Sequence, residues 1–241
     1  MNILENIVKR VLDKGTVEQK IKLNDSVYKI QIKSEDISKI DFYAGSFLRL
    51  AVGVGKEATS LRDKMRSYTI WDIDKTNRTL DLAIATHGKG IGTKWVENCE
   101  IGDIIFFKLK KGKFLTDSSA DSYLMIGDLS SLSHYYIIKR DLPKEKQIES
   151  IIYSQDINDF FVDVDGANPF ECFEMEQNPY DKIIGKLQTI VPKLKGKSIV
   201  YLAGDSRICV ALNKYFRKEL NWDAKRIKTK PFWNPDKTGL E

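Results

Sequence analysis

The sequence has few cysteines and no long run of apolar residues. It contains three cysteines in 241 residues, Cys99, Cys172 and Cys209, and none forms a C-x-x-C pair. An odd number of widely spaced cysteines favours neither a disulfide framework nor a zinc or iron–sulfur site, so a reducing cytoplasm is the expected location. A membrane-spanning helix needs roughly 20 apolar residues, and no membrane span is expected.

A strong excess of one charge is also missing. There are 39 Lys and Arg against 34 Asp and Glu, a formal net charge of +5. This mild excess suits anionic ligands in general, and because aromatic residues do not interleave with a basic face, nucleic acid is not an expected partner. The densest basic cluster, residues 108–113, is interpreted as a solvated hairpin.

The segment at the start of the sequence lacks the apolar core of a signal peptide. Its apolar residues, Ile3, Leu4, Ile7, Val8, Val11 and Leu12, recur with helical spacing on one face. A helix over residues 1–18 is therefore predicted to precede the first domain.

Two halves with different periodicities follow this helix. Residues 19–116 contain many short alternating segments separated by turn signals, which is typical of a small antiparallel β-barrel. Residues 117–122 are polar and are interpreted as a linker, and beyond them strands and helices alternate, as in a parallel α/β sheet. The sequence predicts an antiparallel barrel domain at 19–116 and an α/β domain at 117–241.

The segment Arg66-Ser67-Tyr68-Thr69 combines residue types that suit a phosphorylated heterocycle. Strand alternation places Arg66 and Tyr68 on one face, and Ser67 and Thr69 on the other. A guanidinium can pair bidentately with phosphate, a ring can cover a flat heterocycle, and a hydroxyl can bond the edge of the heterocycle. An ordinary exposed strand with one arginine is the alternative.

A glycine-rich loop follows the strand that ends near Thr86 and leads into a short predicted helix. Glycine permits close backbone approach, and the first N–H groups of a helix favour a pyrophosphate. Thr93 is placed either to cap this helix or to bond a phosphate oxygen, and a glycine-rich hairpin end is the alternative. The candidate residues are Thr86, His87, Gly88, Gly90, Ile91, Gly92 and Thr93.

Two further glycine turns, Gly127-Asp128 and Gly204-Asp205, each end a predicted strand of the second half and begin a helix. Ligands of parallel sheets bind outside the carboxyl ends of the strands. The two turns are therefore candidates for a nucleotide or electron-donor site, and a tight strand-to-helix turn without a ligand is the alternative.

Taken together, the R-x-Y-T strand followed by a G-x-x-T helix start resembles the FAD-binding half of the ferredoxin-reductase superfamily. The resemblance implies that Arg66 and residues 90–93 hold the diphosphate of FAD. It further implies that Tyr68 packs on the flavin, while a serine or threonine such as Thr69 bonds the N5 edge.

Four segments narrow the resemblance to the siderophore-interacting proteins. Residues 87–95 are similar to the H-G-x-x-G-P-A-x-x-W signature of that family, although one residue shorter and without its proline. Residues 124–132 resemble its strand followed by G-D-E-T-A-L, residues 201–205 its W-x-A-G-E, and residues 230–233 its K-x-Y-W ending.

This resemblance implies a cytoplasmic, FAD-dependent reductase that converts ferric to ferrous iron in a siderophore complex. NAD(P)H or reduced ferredoxin would be the electron donor, and ferredoxin would then also be a partner. Lys230 would attract the anionic ferric siderophore, and Trp233 would either cover the flavin or pack the chain end. A monomer is expected. Two alternatives stay open: a generic NAD(P)H-dependent flavin, ferredoxin or flavodoxin reductase, and a non-catalytic flavoprotein binding module.

Overall fold

The computed structural model describes residues 12–52, 65–86 and 90–236. The chain divides into two units, one of residues 1–115 with Glu241 and one of residues 116–240. Each unit has a sheet and a hydrophobic core of its own.

The first unit is an antiparallel sheet of seven strands with the spatial order β4-β3-β7-β1-β2-β6-β5. One helix, α1, connects β6 to β7. The elements are β1 (Asp13–Asn24), β2 (Val27–Lys33), β3 (Phe47–Ala51), β4 (Met65–Thr69), β5 (Asp72–Asp74), β6 (Thr79–Ala85), α1 (Ile91–Asn98) and β7 (Ile104–Lys110).

Alternating burial shows why these segments form a barrel-like sheet. In β2 the side chains of Ile30 and Ile32 are fully buried, while Gln31 between them is partly exposed and Lys33 is exposed. Alternation with a period of two places one face of a strand toward the core. The Trp71 N–H, just after β4, donates to the Asp81 carbonyl of β6 at 2.8 Å, so the chain crosses from one side of the sheet toward the other.

The predicted helix over residues 1–18 is wrong for residues 13–18, which belong to β1; residues 1–11 lie outside the described part of the chain. Residues 13–16 pair with β7 on one side, and Thr16 and Val17 pair with β2 on the other. Gly15, Thr16 and Val17 have low helix propensity, and two neighbouring strands satisfy their backbone groups.

The second unit is a parallel sheet of five strands with the order β10-β9-β8-β11-β12. Its strands are β8 (Ser122–Asp128), β9 (Gln147–Ser154), β10 (Cys172–Glu174), β11 (Ser198–Asp205) and β12 (Ile227–Trp233). Its helices are α2 (Leu132–Asp141), α3 (Tyr180–Ile190) and α4 (Ser206–Lys218). The two sheets confirm the predicted antiparallel and parallel halves.

The strand order reverses between β8 and β11, so the carboxyl ends of these two strands form the topological switch point of the sheet. Every residue of β8 and β11 is buried. Continuous burial is typical of parallel strands that are covered on both faces.

The segment interpreted as a linker is tied into the second unit. The Asp117 N–H donates to the Tyr201 hydroxyl at 2.9 Å, and the Tyr123 hydroxyl donates to the Asp117 carbonyl at 2.8 Å. Ser122 is already the first residue of β8. Buried tyrosine hydroxyls require hydrogen-bond partners, and the backbone of this segment supplies them.

Candidate functional site

The two FAD-motif segments meet at the start of α1. Gly92 lies in the first turn of this helix, against the side chains of Arg66 and Tyr68 from β4. A Cβ atom at Gly92 would overlap the Tyr68 hydroxyl oxygen and would lie 3.7 Å from Arg66 Cγ. Arg66 and Tyr68 thus share one face of β4, as strand alternation predicts, and glycine is required for α1 to approach that face.

The Tyr68 ring is positioned by α1 as well as by its own strand. It stacks on Trp95 with ring centroids 6.5 Å apart and an interplanar angle of 29°. Both rings are partly buried and pack on the core of the first unit. An aromatic ring supported by a strand and a helix is a rigid surface for a planar ligand.

The start of α1 has the properties of an anion-binding helix terminus. Gly90 is the N-cap residue, no side chain caps the helix, and its first turn carries no acidic residue. Gly90, and not Thr93, is therefore the N-cap residue of α1. The other role predicted for Thr93, a hydrogen bond to a phosphate oxygen, stays a prediction. At the opposite end, Lys20 Nζ donates to the carbonyls of Glu97 at 2.8 Å and Cys99 at 3.0 Å. The helix dipole thus has a cation at its negative end, and among the described residues no acidic side chain of the first turn lies at its positive end.

The remaining residues of the predicted FAD site occupy different positions. Ser67 is exposed and lies opposite Arg49, whereas Thr69 is partly buried and lies opposite Phe47. The N–H and the hydroxyl of Thr86 both donate to the Ser26 carbonyl, at 2.8 and 3.1 Å, so they hold the end of β6. His87 and Gly88 lie outside the described residues.

In the second unit, the carboxylate of Asp128 lies at the switch point and accepts four hydrogen bonds. Its Oδ1 atom accepts the N–H and the hydroxyl of Ser130 at 2.9 and 2.5 Å. Its Oδ2 atom accepts the Asp205 N–H at 2.7 Å and Trp233 Nε1 at 2.8 Å. The side chain is therefore held by residues from both sides of the crevice.

The two glycine turns make room for these protein side chains. Gly204 has a φ of +109°, which favours glycine, and a Cβ there would overlap Asp128 Oδ2. A Cβ at Gly127 would overlap Ser131 Oγ. Asp205 caps α4 by accepting the Arg207 N–H at 2.9 Å and pairs with the Arg207 guanidinium at 2.8 Å. Asp128 caps the single 3-10 turn Leu129–Ser131 that precedes α2, so the protein's own carboxylates cap the turn after β8 and the helix after β11.

The two predicted substrate residues lie on β12. Lys230 is exposed and pairs in register with Ala203 of β11. Trp233 is partly buried, and its indole N–H binds Asp128, 105 residues away. Sequence reasoning missed this contact, because only the register of the parallel sheet brings the ends of β8 and β12 together.

Neither a metal cluster nor a membrane-spanning helix is found within the described ranges. No group of three or more His, Cys, Asp or Glu side chains there could hold a metal ion. None of the described helices is both long and apolar enough to cross a membrane.

Two family models together match most of the chain. Residues 14–115 match the oxidoreductase FAD-binding domain, and residues 120–236 match the siderophore-interacting protein family. Both matches confirm the resemblance inferred from the motifs. No curated protein matches the sequence.

Solved structures with the same fold include siderophore-interacting proteins and a reductase. The chain is similar to the siderophore-interacting protein SipS from Aeromonas hydrophila (18% identity, TM-score 0.77, covering 94% of this chain and 92% of that one). It is also similar to a siderophore utilization protein from T. fusca (14%, 0.74, 95% and 95%) and to ferredoxin-NADP+ reductase from Plasmodium falciparum (16%, 0.71, 93% and 97%). At these identities the similarity establishes the ferredoxin-reductase-like fold.

Proposed function

Since an oxidoreductase FAD-binding domain is followed in this chain by a domain of the siderophore-interacting protein family, we propose that the protein is an FAD-dependent reductase of ferric siderophores. The observation that carries the proposal is the meeting of Arg66, Tyr68 and Gly92 at the uncapped start of α1.

The residues at this helix start fit the diphosphate of FAD. The guanidinium of Arg66 supplies a cation and a planar pair of N–H donors, and the first turn of α1 supplies backbone N–H groups. Among the residues that the structure describes, nothing lies within 4 Å of a Cβ placed on Gly90, so these residues leave the backbone accessible there. We assign the diphosphate to Arg66 and to residues 90–93.

The flavin ring is assigned to the surface formed by Tyr68. Tyr68 would cover one face of the ring, and Thr69, the next residue along β4, would hold its edge. When bound, FAD accepts two electrons from a donor and releases them singly, which suits the one-electron reduction of Fe(III) to Fe(II). The FAD-binding domain and the reductase fold support FAD and a pyridine nucleotide as cofactors. NADH, NADPH and reduced ferredoxin are the candidate electron donors.

The substrate in this proposal is an anionic ferric chelate. The exposed ammonium of Lys230 would attract this chelate. Reduction of Fe(III) to Fe(II) would weaken the binding of the iron to the oxygen ligands of the siderophore. Trp233 would help to position Lys230, because the hydrogen bond from its indole N–H to Asp128 fixes the end of β12 three residues further on.

Two measurements on the purified protein test the proposal. The flavin is extracted and weighed by mass spectrometry, and ferrous iron is trapped with ferrozine while NADH, NADPH or reduced ferredoxin is supplied with a ferric siderophore. FAD together with donor-dependent ferrous iron is expected. FMN as the sole flavin would refute the diphosphate assignment, and bound FAD without ferrous iron would favour the non-catalytic binding module.

The generic reductase is the second candidate, because the fold is shared with ferredoxin-NADP+ reductase. It predicts that free flavin, ferredoxin or flavodoxin is reduced faster than the ferric siderophore in the same assay.

A further inference from the structure

The helix to which the diphosphate is assigned is short and poorly suited to form on its own. α1 has eight residues, and isolated helices shorter than about 12 residues are only marginally stable in water. Its first turn contains Gly92 and Thr93, and its last residue is Asn98, three residue types with low helix propensity. Contacts with the rest of the first unit must therefore hold α1 in place.

Two of these contacts are made by side chains of the helix. Val96 is fully buried in the core of the first unit, and Trp95 stacks on Tyr68 of β4. Both contacts fix the position of the helix on the sheet, but neither binds its backbone. The carbonyl groups in the last turn of a helix have no partners within the helix and need partners elsewhere.

Lys20 of β1 supplies such partners at the C-terminal end of α1. Its ammonium donates to the Glu97 carbonyl at 2.8 Å and to the Cys99 carbonyl at 3.0 Å. Glu97 lies in the last turn of α1, and Cys99 is the C-cap residue. A cation bound to carbonyls at this end also complements the helix dipole. One side chain thus connects the backbone of α1 to a strand of the sheet.

The Lys20 side chain is itself held in position. Lys20 pairs in register with Ile30 of β2, whose side chain belongs to the same core as Val96. Because directly opposed residues share one face of a sheet, Lys20 stands on the face against which α1 packs. Its ammonium also lies 5.4 Å from the centroid of the Tyr28 ring, a distance at which a cation is attracted to an aromatic face. The contact with α1 therefore starts from a rigid element.

Resting on the proposed function, we propose that Lys20 is a positioning residue for the diphosphate of FAD. Lys20 holds the C-terminal end of α1, and α1 in turn keeps the N–H groups of residues 90–93 where they bind the phosphates together with Arg66. The ends of a helix of eight residues are about 12 Å apart, so the ammonium acts through the helix and does not touch the diphosphate itself.

The variant Lys20→Met tests this role, because methionine keeps an unbranched side chain and lacks the ammonium. Lys22→Met is the matched control: Lys22 lies on the same strand, but its ammonium binds Asp25 at 2.6 Å. The dissociation constants of FAD and of riboflavin, which has the flavin ring but no phosphate, are measured by fluorescence titration of the full chain freed of flavin.

The expected result is a loss of affinity that is confined to the ligand with the diphosphate. Lys20→Met should bind FAD about 3- to 10-fold more weakly than wild type, the range expected of a partly buried cation at a helix C-terminus. It should bind riboflavin as tightly as wild type does. Lys22→Met should bind both ligands like wild type. Lys20→Arg retains a cation with several N–H donors, so it should bind FAD more tightly than Lys20→Met.

Cys99 provides a direct reporter of the helix end. The residue is buried, and burial raises the pKa of its thiol, so its alkylation requires the C-terminal end of α1 to open. In the flavin-free protein, Cys99 should be alkylated faster in Lys20→Met than in wild type. Cys172, in the second unit, should react at the same rate in both proteins. Peptide mass spectrometry follows the two cysteines separately.

The outcomes separate this proposal from the proposed function. Unchanged FAD affinity in Lys20→Met, equal losses for FAD and riboflavin, or an equal loss in Lys22→Met would overturn the positioning role. An unchanged alkylation rate of Cys99, or a Lys20→Arg variant as weak as Lys20→Met, would overturn it as well. If the wild type binds FAD no more tightly than riboflavin, the assignment of the diphosphate to α1 is refuted, and the proposed function loses the observation that carries it.

Discussion

Replacing Gly92 with alanine introduces one methyl group at the point where α1 meets β4. The new Cβ would overlap the Tyr68 hydroxyl oxygen, whereas Tyr68 Cζ, at 3.6 Å, would be in ordinary van der Waals contact. Because the conflict involves a single oxygen atom, the Tyr68 ring must shift by roughly 1 Å to relieve it.

Two opposing terms set the expected size of the effect. Overpacking typically costs about 1–3 kcal/mol, while glycine to alanine within a helix gains up to about 1 kcal/mol. We expect Gly92→Ala to lower the free energy of unfolding by about 0–3 kcal/mol. If the Tyr68 ring supports the flavin, its displacement should lower FAD affinity by about 2- to 10-fold, since an aromatic stacking contact contributes about 0.5–1.5 kcal/mol.

A second substitution provides the decisive comparison. In Gly92→Ala/Tyr68→Phe the clashing oxygen is removed and only the ordinary contact with the ring remains, so stability and FAD affinity should recover relative to Gly92→Ala. Gly185→Ala is the matched control, because Gly185 is an exposed glycine within α3 and its Cβ would meet nothing within 4 Å. FAD affinity is measured by flavin fluorescence titration, and stability by chemical denaturation. A double variant that is no better than Gly92→Ala in either measurement would refute this account of the helix–strand contact.

Three further predictions follow from the site and from the second unit. Arg66→Ala should lower FAD affinity about 10- to 150-fold, because it removes one charge-assisted hydrogen bond worth roughly 1.5–3 kcal/mol. The circular dichroism spectrum should stay unchanged. If the variant retains FAD through dialysis as wild type does, the assignment of Arg66 to the diphosphate is contradicted. Lys230→Ala should raise the apparent KM for an anionic ferric siderophore about 1.5- to 5-fold at low salt, with constant flavin content. Kinetics identical to wild type would show that Lys230 is a solvated surface residue without a role in substrate binding. Burial raises the pKa of Asp117, but hydrogen bonds from Ser119 and Lys228 outweigh it and hold the pKa at about 2, below its ordinary value of 3.8. This stabilising contribution is present above the ordinary value and is lost as the pH falls toward 2, so Asp117→Asn should flatten the decline of the melting temperature over that interval.

The sequence alone determined those features that depend on local periodicity. Alternation of apolar and polar residues predicted the strand at β2, because side-chain direction in a strand repeats every two residues, and short apolar runs predicted β8 and β11. The order of the motifs led to the FAD-binding and siderophore-interacting resemblance before any contact was known. The position of Arg66 and Tyr68 on one face of β4 followed from the same alternation.

Only the tertiary structure decided what each of these segments contacts. Residues 13–18 are a strand because two neighbouring strands bind their backbone groups, a term that no local pattern contains. Gly92 is required by the hydroxyl of Tyr68, which lies on another element. Asp128 is held by the indole N–H of Trp233, 105 residues further along the chain. Such contacts arise from sheet register and from the packing of helix against strand, which depend on the whole chain folding together. The same register brings the Asp128 carboxylate against the Gly204 turn, while a nucleotide site at the two turns stays a prediction.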